Sequence, residues 1–210
     1  MTFPMARPRE FDVDTALERA LDVLWSKGYE ATSLDDLCEA TGLSRSSLYA
    51  TFGNKRNLLL RSVERYVERR TPNIAAILER PLPIRDVFAA LLEEFIDQIV
   101  AGPGRRGCFL GNCAAELPRS DRAALAQVRQ GLACTEAIFR AALARAKTRG
   151  ELSSDADVAV LARFLTSAIQ GLRLVGKVNP NRAALKDIAK TMLQCLGKQP
   201  LPRAAVKSLN

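Results

Sequence analysis

The stretch Thr32 to Lys55, TSLDDLCEATGLSRSSLYATFGNK, concentrates side chains that can hydrogen-bond to a nucleic acid. Arg45, Ser46, Ser47, Tyr49 and Thr51 fall close together, and Lys55 follows. A guanidinium offers a fork that bonds two acceptors on the edge of guanine, so Arg45 is the candidate base reader, with Ser46 and Ser47 as weaker ones. Hydroxyl and ammonium groups suit phosphate oxygens instead. A second chemical feature lies in the later half. Cys108 follows Arg105-Arg106-Gly107 at the expected start of a helix. A helix N-terminus and adjacent guanidiniums both favour a thiolate, the form that oxidants and electrophiles attack. The alternative is a small apolar residue in a packed helix, the usual role of free cysteine.

Capping and periodicity define the elements that would position these residues. Thr32 or Ser33 caps a short helix, with Asp35 or Asp36 as reciprocal partner. Leu34, Leu37 and Ala40 line its inner face. Gly42 occupies a turn that favours positive φ. Ser44 caps a second short helix over 45–51, and Leu48 and Phe52 anchor it. Two short helices joined by a glycine-containing turn are the sequence form of a major-groove reader. Ahead of them, Val13, Leu17, Ala20, Leu21 and Leu24 mark a helix closed by Gly28. After them, Asn54 caps a fourth helix, with Leu59, Val63, Tyr66 and Val67 on one stripe. It is expected to end near Thr71, because Pro72 disfavours continuation.

The remaining sequence predicts five more helices. Ile84 to Ile99 carry a broad apolar face. Gly102 to Gly107 read as a connector, since no phosphate-loop spacing is present. A short sixth helix spans 108–116. Ser120 caps a seventh, which Gly150 closes. Ser154 with Asp157 forms a capping box for an eighth, and Asn179-Pro180 supplies a cap and first-turn proline for a ninth. Val158, Leu161, Leu165, Ala168, Leu172 and Val175 recur at heptad-like spacing, as do Leu185, Ile188, Met192 and Cys195. Such seams suit a dimer interface or packing within one chain. The tail 198–210 has little periodicity.

Charge and composition narrow the class. The chain of 210 residues carries a net charge of +8. Residues 1–39 hold four basic and nine acidic residues, whereas residues 40–72 hold seven basic and two acidic. That polarity marks 40–72 as a candidate DNA face. No run of ~18 apolar residues predicts a membrane span. The first residues lack a signal-peptide core, so the cytoplasm is expected. Five cysteines without a CxxC pair, and no histidine, argue against a zinc site and against the common catalytic triads. Asp35-Asp36 and Glu93-Glu94 are adjacent pairs that diverge by about 100° on a helix. No enzyme activity, metal or cofactor is expected.

From Phe11 to Leu60 the sequence resembles the TetR family of transcriptional repressors. The resemblance rests on Lys27-Gly28-Tyr29, the Thr32-Ser33 cap, Ala40-Thr41-Gly42-Leu43-Ser44, Leu48-Tyr49, Phe52 and Lys55, and covers roughly the first 65 residues. It implies an all-α fold with an N-terminal three-helix helix-turn-helix head over 1–53, linked by a fourth helix over 54–71. It also implies a C-terminal helical bundle over 72–197 for dimerisation and effector binding. The implied partners are a double-stranded DNA operator, a second copy of the chain and a small-molecule effector. Tyr49, Thr51 and Lys55 match phosphate-contacting positions, Thr32 or Ser33 can donate to phosphate, and Ser44 belongs to the same surface. Arg7 and Arg9 can form a minor-groove arm or a plain basic tail.

Arg106-Gly107-Cys108-Phe109-Leu110-Gly111-Asn112, with Ala115-Glu116-Leu117, is similar to a branch of that family with a Gly-Cys motif. Some members of the branch sense electrophiles or oxidants through this cysteine, and in some a lysine assists; Lys177 is the matching candidate. Other members carry the motif without such a role. The alternative is an apolar effector bound reversibly among Phe88, Phe95, Phe109, Phe139 and Phe164. Cys113 lies about one and a half turns beyond Cys108 and is a doubtful resolving partner within that helix. Cys38, Cys134 and Cys195 read as structural. A helical interaction module without DNA binding is the competing class.

Overall fold

Polar caps open most of the helices, and their chemistry sets the boundaries. The computed structural model describes residues 11–197; Arg7, Arg9 and the tail 198–210 lie outside them. Among the described residues the helices are α1 (Val13–Lys27), α2 (Leu34–Thr41), α3 (Arg45–Phe52), α4 (Lys55–Leu78), α5 (Ile84–Ala101), α6 (Phe109–Glu116), α7 (Arg122–Thr148), α8 (Val158–Val178) and α9 (Arg182–Met192), with no strand. Asp12 caps α1, Ser33 and Asp36 form a reciprocal capping box on α2, and Ser44 and Asn54 cap α3 and α4.

Three later starts differ from the sequence reading. Asp121, not Ser120, caps α7: its carboxylate accepts from the Ala124 N–H at 3.0 Å and pairs with Arg56 on α4. Asp157 caps α8 alone, accepting from Ala159 and Val160 at 2.9 and 3.1 Å, while Ser154 turns to Asp155. Asn181 caps α9, because Asn179 before Pro180 is held out of the helical region, at φ −134° and ψ 83°, and closes α8 instead. The fourth helix also runs past the expected stop. Pro72 lies inside α4 on its exposed side, so the Glu68 carbonyl that loses a donor faces water. Ile74, Ile77 and Leu78 beyond it are buried in the core.

Two apolar cores result. One joins α1–α4 to Cys108, Phe109, Leu110, Cys113 and Leu117 around α6, and to Ala124 and Val128 of α7. The other joins the end of α4 to α5, the later part of α7, α8 and α9. The head's core therefore continues into α6. Close approach fixes α7 against α4: a Cβ on Gly131 would stand 2.8 Å from Val67.

Most of the seam of α8 packs within the chain, and Val175 at its end does not. Leu161, Leu165 and Leu172 are buried in the second core. The apolar residues left exposed on α8 are Val160, Phe164, Leu174, Val175 and Val178. By length and composition α8 could cross a membrane, but its inner face is core.

Candidate DNA-reading surface and effector groove

Ser44 starts the reading helix by accepting the Ser47 N–H at 3.1 Å, and Gly42 at φ 72° lets α2 turn into it. Leu48 and Phe52 are buried, which fixes the outward face of α3. Ser44, Arg45, Ser46 and Tyr49 are exposed there; Ser47, Thr51 and Lys55 are half-buried beside them. Asp35 of α2 holds the Arg45 guanidinium in a fork, Nε to Oδ1 at 3.1 Å and Nη2 to Oδ2 at 2.8 Å, with both side chains exposed. Lys55 Nζ lies 4.5 Å from the centre of the Tyr29 ring.

Two sequence expectations need correction here. Thr32 is 1% exposed and its hydroxyl donates to the Gly28 carbonyl at 2.5 Å, so Ser33 is the residue at the start of α2 that faces outward. The cations of 40–72 do not make a free positive face either. Arg65 pairs with Asp14 and Arg69 with Glu18, and Arg56 reaches Asp121. Three of the seven cations of this stretch thus clamp α4 against its neighbours.

Cys108 is the residue from which α6 starts, and it is 7% exposed. It borders two spaces. Outside is a groove of about 370 Å³, lined among others by Gly107, Asn112, Glu116, Gln170 and Lys177. Inside is a cavity of about 20 Å³ bounded by Tyr66, Arg70, Phe95, Thr135 and Arg173, among others. The structure thus brings Cys108 and Lys177 to one groove. A larger opening of about 930 Å³ runs between α4 and α7, past Cys134.

The neighbours of the thiol are not those the sequence suggests. Arg106 stacks 4.0 Å over the Trp25 ring and pairs with Asp22 at 2.9 Å, and Arg105 is exposed. Instead Tyr66 Oη stands 3.7 Å from Sγ. Burial, with Cys108 next, pushes the Tyr66 phenol up to about 12. Arg173 donates to Tyr66 Oη at 3.1 Å and to the Gly107 carbonyl at 2.8 Å. Burial pushes the Cys113 thiol up to about 12 and that of Cys195 to about 11, which leaves both poor nucleophiles.

The five phenylalanines do not converge on a pocket. Phe95 and Phe139 touch the inner cavity. Phe88 packs edge-on to Phe139, Phe109 packs with Trp25 and Tyr66, and Phe164 is exposed.

Glu116, Arg70 and Arg173 are the functional candidates that the sequence reading missed. Glu116, at the far end of α6, accepts the Tyr29 N–H at 2.6 Å and the Glu30 N–H at 3.3 Å, just after α1. Arg173 had a signal: it falls four residues after Ile169 on the buried face of α8, where a charge is out of place.

Known proteins share this fold. Residues 16–61 match the family of bacterial regulatory proteins called tetR, and residues 86–192 match the tetracyclin repressor-like C-terminal domain. The chain is 33% identical to the HTH-type transcriptional regulator YezE of Bacillus subtilis, over 91% of its own length and 100% of that protein. It is 35% identical to the HTH-type transcriptional repressor ComR of Escherichia coli, over 90% of each. The TetR family regulator CifR, in a cysteine-substituted form complexed with a 26-base-pair operator duplex, matches with a TM-score of 0.81 at 31% identity, covering 90% of this chain and 98% of that one. With a helix-turn-helix head, a helical body and matches at this level across both, the chain belongs to the TetR family of bacterial regulatory proteins.

Proposed function

We propose that the protein is a dimeric, cytoplasmic transcriptional repressor that binds a roughly palindromic operator and releases it when an electrophile or oxidant reacts at Cys108. The first half is supported by the outward face of α3 and by relatives described as a repressor or solved on operator DNA. One reading helix has a small footprint, so two matched heads give specificity. The exposed apolar stripe of α8 is the surface that a second copy would cover.

One observation carries the second half. The helix that begins at Cys108 ends at Glu116, which grips the backbone just after α1. A group added to Sγ must push into the groove or enlarge a cavity of about 20 Å³. Either bears on α6, whose Gly111, Asn112, Ala115 and Glu116 line the groove, or on Tyr66 of α4, which bounds the cavity, and so would shift the head. The effector then favours a head spacing that no longer matches the operator. Lys177 lines the same groove and would assist.

Selection from random duplexes tests the DNA reading. It should return an inverted repeat with half-sites about 34–36 Å apart or a multiple of that. No enriched sequence would remove the reading of a specific regulator.

A further inference from the structure

Arg70 and Arg173 are an arrangement that DNA reading does not use. Their guanidiniums lie over one ring, 4.5 and 5.4 Å from the centre of Phe95, and both border the cavity behind Cys108. Arg173 is 5% exposed and donates only to neutral oxygens. Arg70 reaches Gln98 Oε1 at 3.4 Å, and its Nε and Nη2 are buried without a partner. Glu94, an acid near Arg70, accepts from Gln98 at 2.9 Å. Among the described residues no carboxylate pairs directly with either arginine. Two like charges in a low dielectric, with open donors on Arg70 and no paired carboxylate, are costly unless an anion meets them. Burial, and then the charge of Arg173, push the Arg70 guanidinium down.

A path to these donors exists. Cys108 and Gln170 border both the outer groove and the inner cavity, so they form the wall between them. Gln170 Oε1 is buried without a partner, and so leaves no hydrogen bond behind when it moves. The cavity, at about 20 Å³, takes one oxygen-sized group. An acid entering carboxylate foremost therefore puts one oxygen in the cavity, and its second oxygen and carbon chain lie in the space that Gln170 vacates, beside Sγ. The planar fork of a guanidinium matches a carboxylate, and such bonds are about twice as strong as neutral ones.

We propose that Arg70 and Arg173 bind the carboxylate of a small organic acid, admitted from the groove past Gln170 and held beside Cys108. This rests on the reading that the groove is the effector site, and it names the effector's class: a short-chain carboxylic acid, with an electrophilic carbon where the effector reacts covalently. Iodoacetate is a model of the reactive kind. The Sγ–C bond forms, the C–I bond breaks, iodide leaves with the bonding pair and the thiol proton passes to water.

Thermal unfolding of the full-length protein tests the site. Sodium propionate should raise the midpoint progressively with concentration, whereas propionamide, and sodium chloride at equal ionic strength, should not. Arg70→Gln should lose the response. The propionamide comparison needs no variant, so the test survives a variant that does not fold. A propionate effect no larger than that of chloride or propionamide overturns the proposal.

Labelling gives a second readout. The ratio of iodoacetate to iodoacetamide modification at Cys108, read by mass spectrometry, should fall at least about five-fold in Arg70→Gln. An unchanged ratio counts against the site. If propionate binds but leaves DNA affinity intact, the carboxylate site stands and the effector reading fails. If iodoacetamide releases DNA while propionate does not bind, the groove stands and the arginine site fails.

Discussion

At the scale of single residues, the proposed reading surface turns on what holds Arg45. In the free protein Asp35 grips its guanidinium through two donors. A carboxylate beside a phosphate backbone is repelled, so DNA competes for the arginine, and a guanine edge offers the same two-acceptor geometry. Arg45→Ala is expected to weaken the selected operator roughly five- to a hundred-fold and to relax preference at one position per half-site. Fluorescence anisotropy on single-base operator variants reads this out; equal losses on every variant would reduce Arg45 to a phosphate contact. The caps at Ser33, Ser44 and Asn54 were legible in sequence because capping is local chemistry. Thr32 and Ser33 were equivalent as caps, and the Gly28 carbonyl decided between them. The aim of Arg106 at Trp25 and Asp22 was not legible, since both partners lie more than eighty residues away.

At the scale of elements, helix existence was readable from periodicity, and the clearest error fell where a distant partner chose between local signals. Asp121 displaced Ser120 as a cap because Arg56 on α4 also holds its carboxylate. The seam of α8 was legible as a pattern but open as to its partner: Leu161, Leu165 and Leu172 pack within the chain, and Val175 stays exposed. Periodicity identifies a stripe but not whether its partner lies in the same chain. The Arg56–Asp121 clasp ties α4 to the start of α7 and has a pH signature. The Arg56 hydrogen bond and then the Ala124 N–H lower Asp121 to about 2 from 3.8. A depressed carboxylate contributes stability that is fully present above about pH 4 and is lost as pH falls toward 2. Asparagine keeps the cap and removes the charge. Unfolding midpoints of the wild type and Asp121→Asn should therefore differ by a constant gap above pH 4, and the gap should close toward pH 2. A gap independent of pH would show that the ion pair contributes nothing.

At the scale of the whole molecule, a helix-turn-helix head and a helical body meet through α4 and α6. The body's unpartnered surface is the stripe Val160, Phe164, Leu174, Val175 and Val178. Phe164→Glu should give a folded monomer with much weaker operator binding. Leu165→Glu should instead lower the unfolding midpoint sharply, because Leu165 is fully buried in the chain's own core. Light scattering that finds Phe164→Glu still dimeric would move the interface elsewhere. Helix α6 carries Cys108 at its start and Glu116 at its end. The central claim is that chemistry at Cys108 sets the affinity for DNA. The most direct test is an anisotropy titration of the selected operator by the wild type and Cys108→Ser, each before and after iodoacetamide. The account predicts that alkylation weakens the wild type at least about ten-fold, and that Cys108→Ser binds alike before and after. Equal loss in both proteins, or none in the wild type, would contradict it.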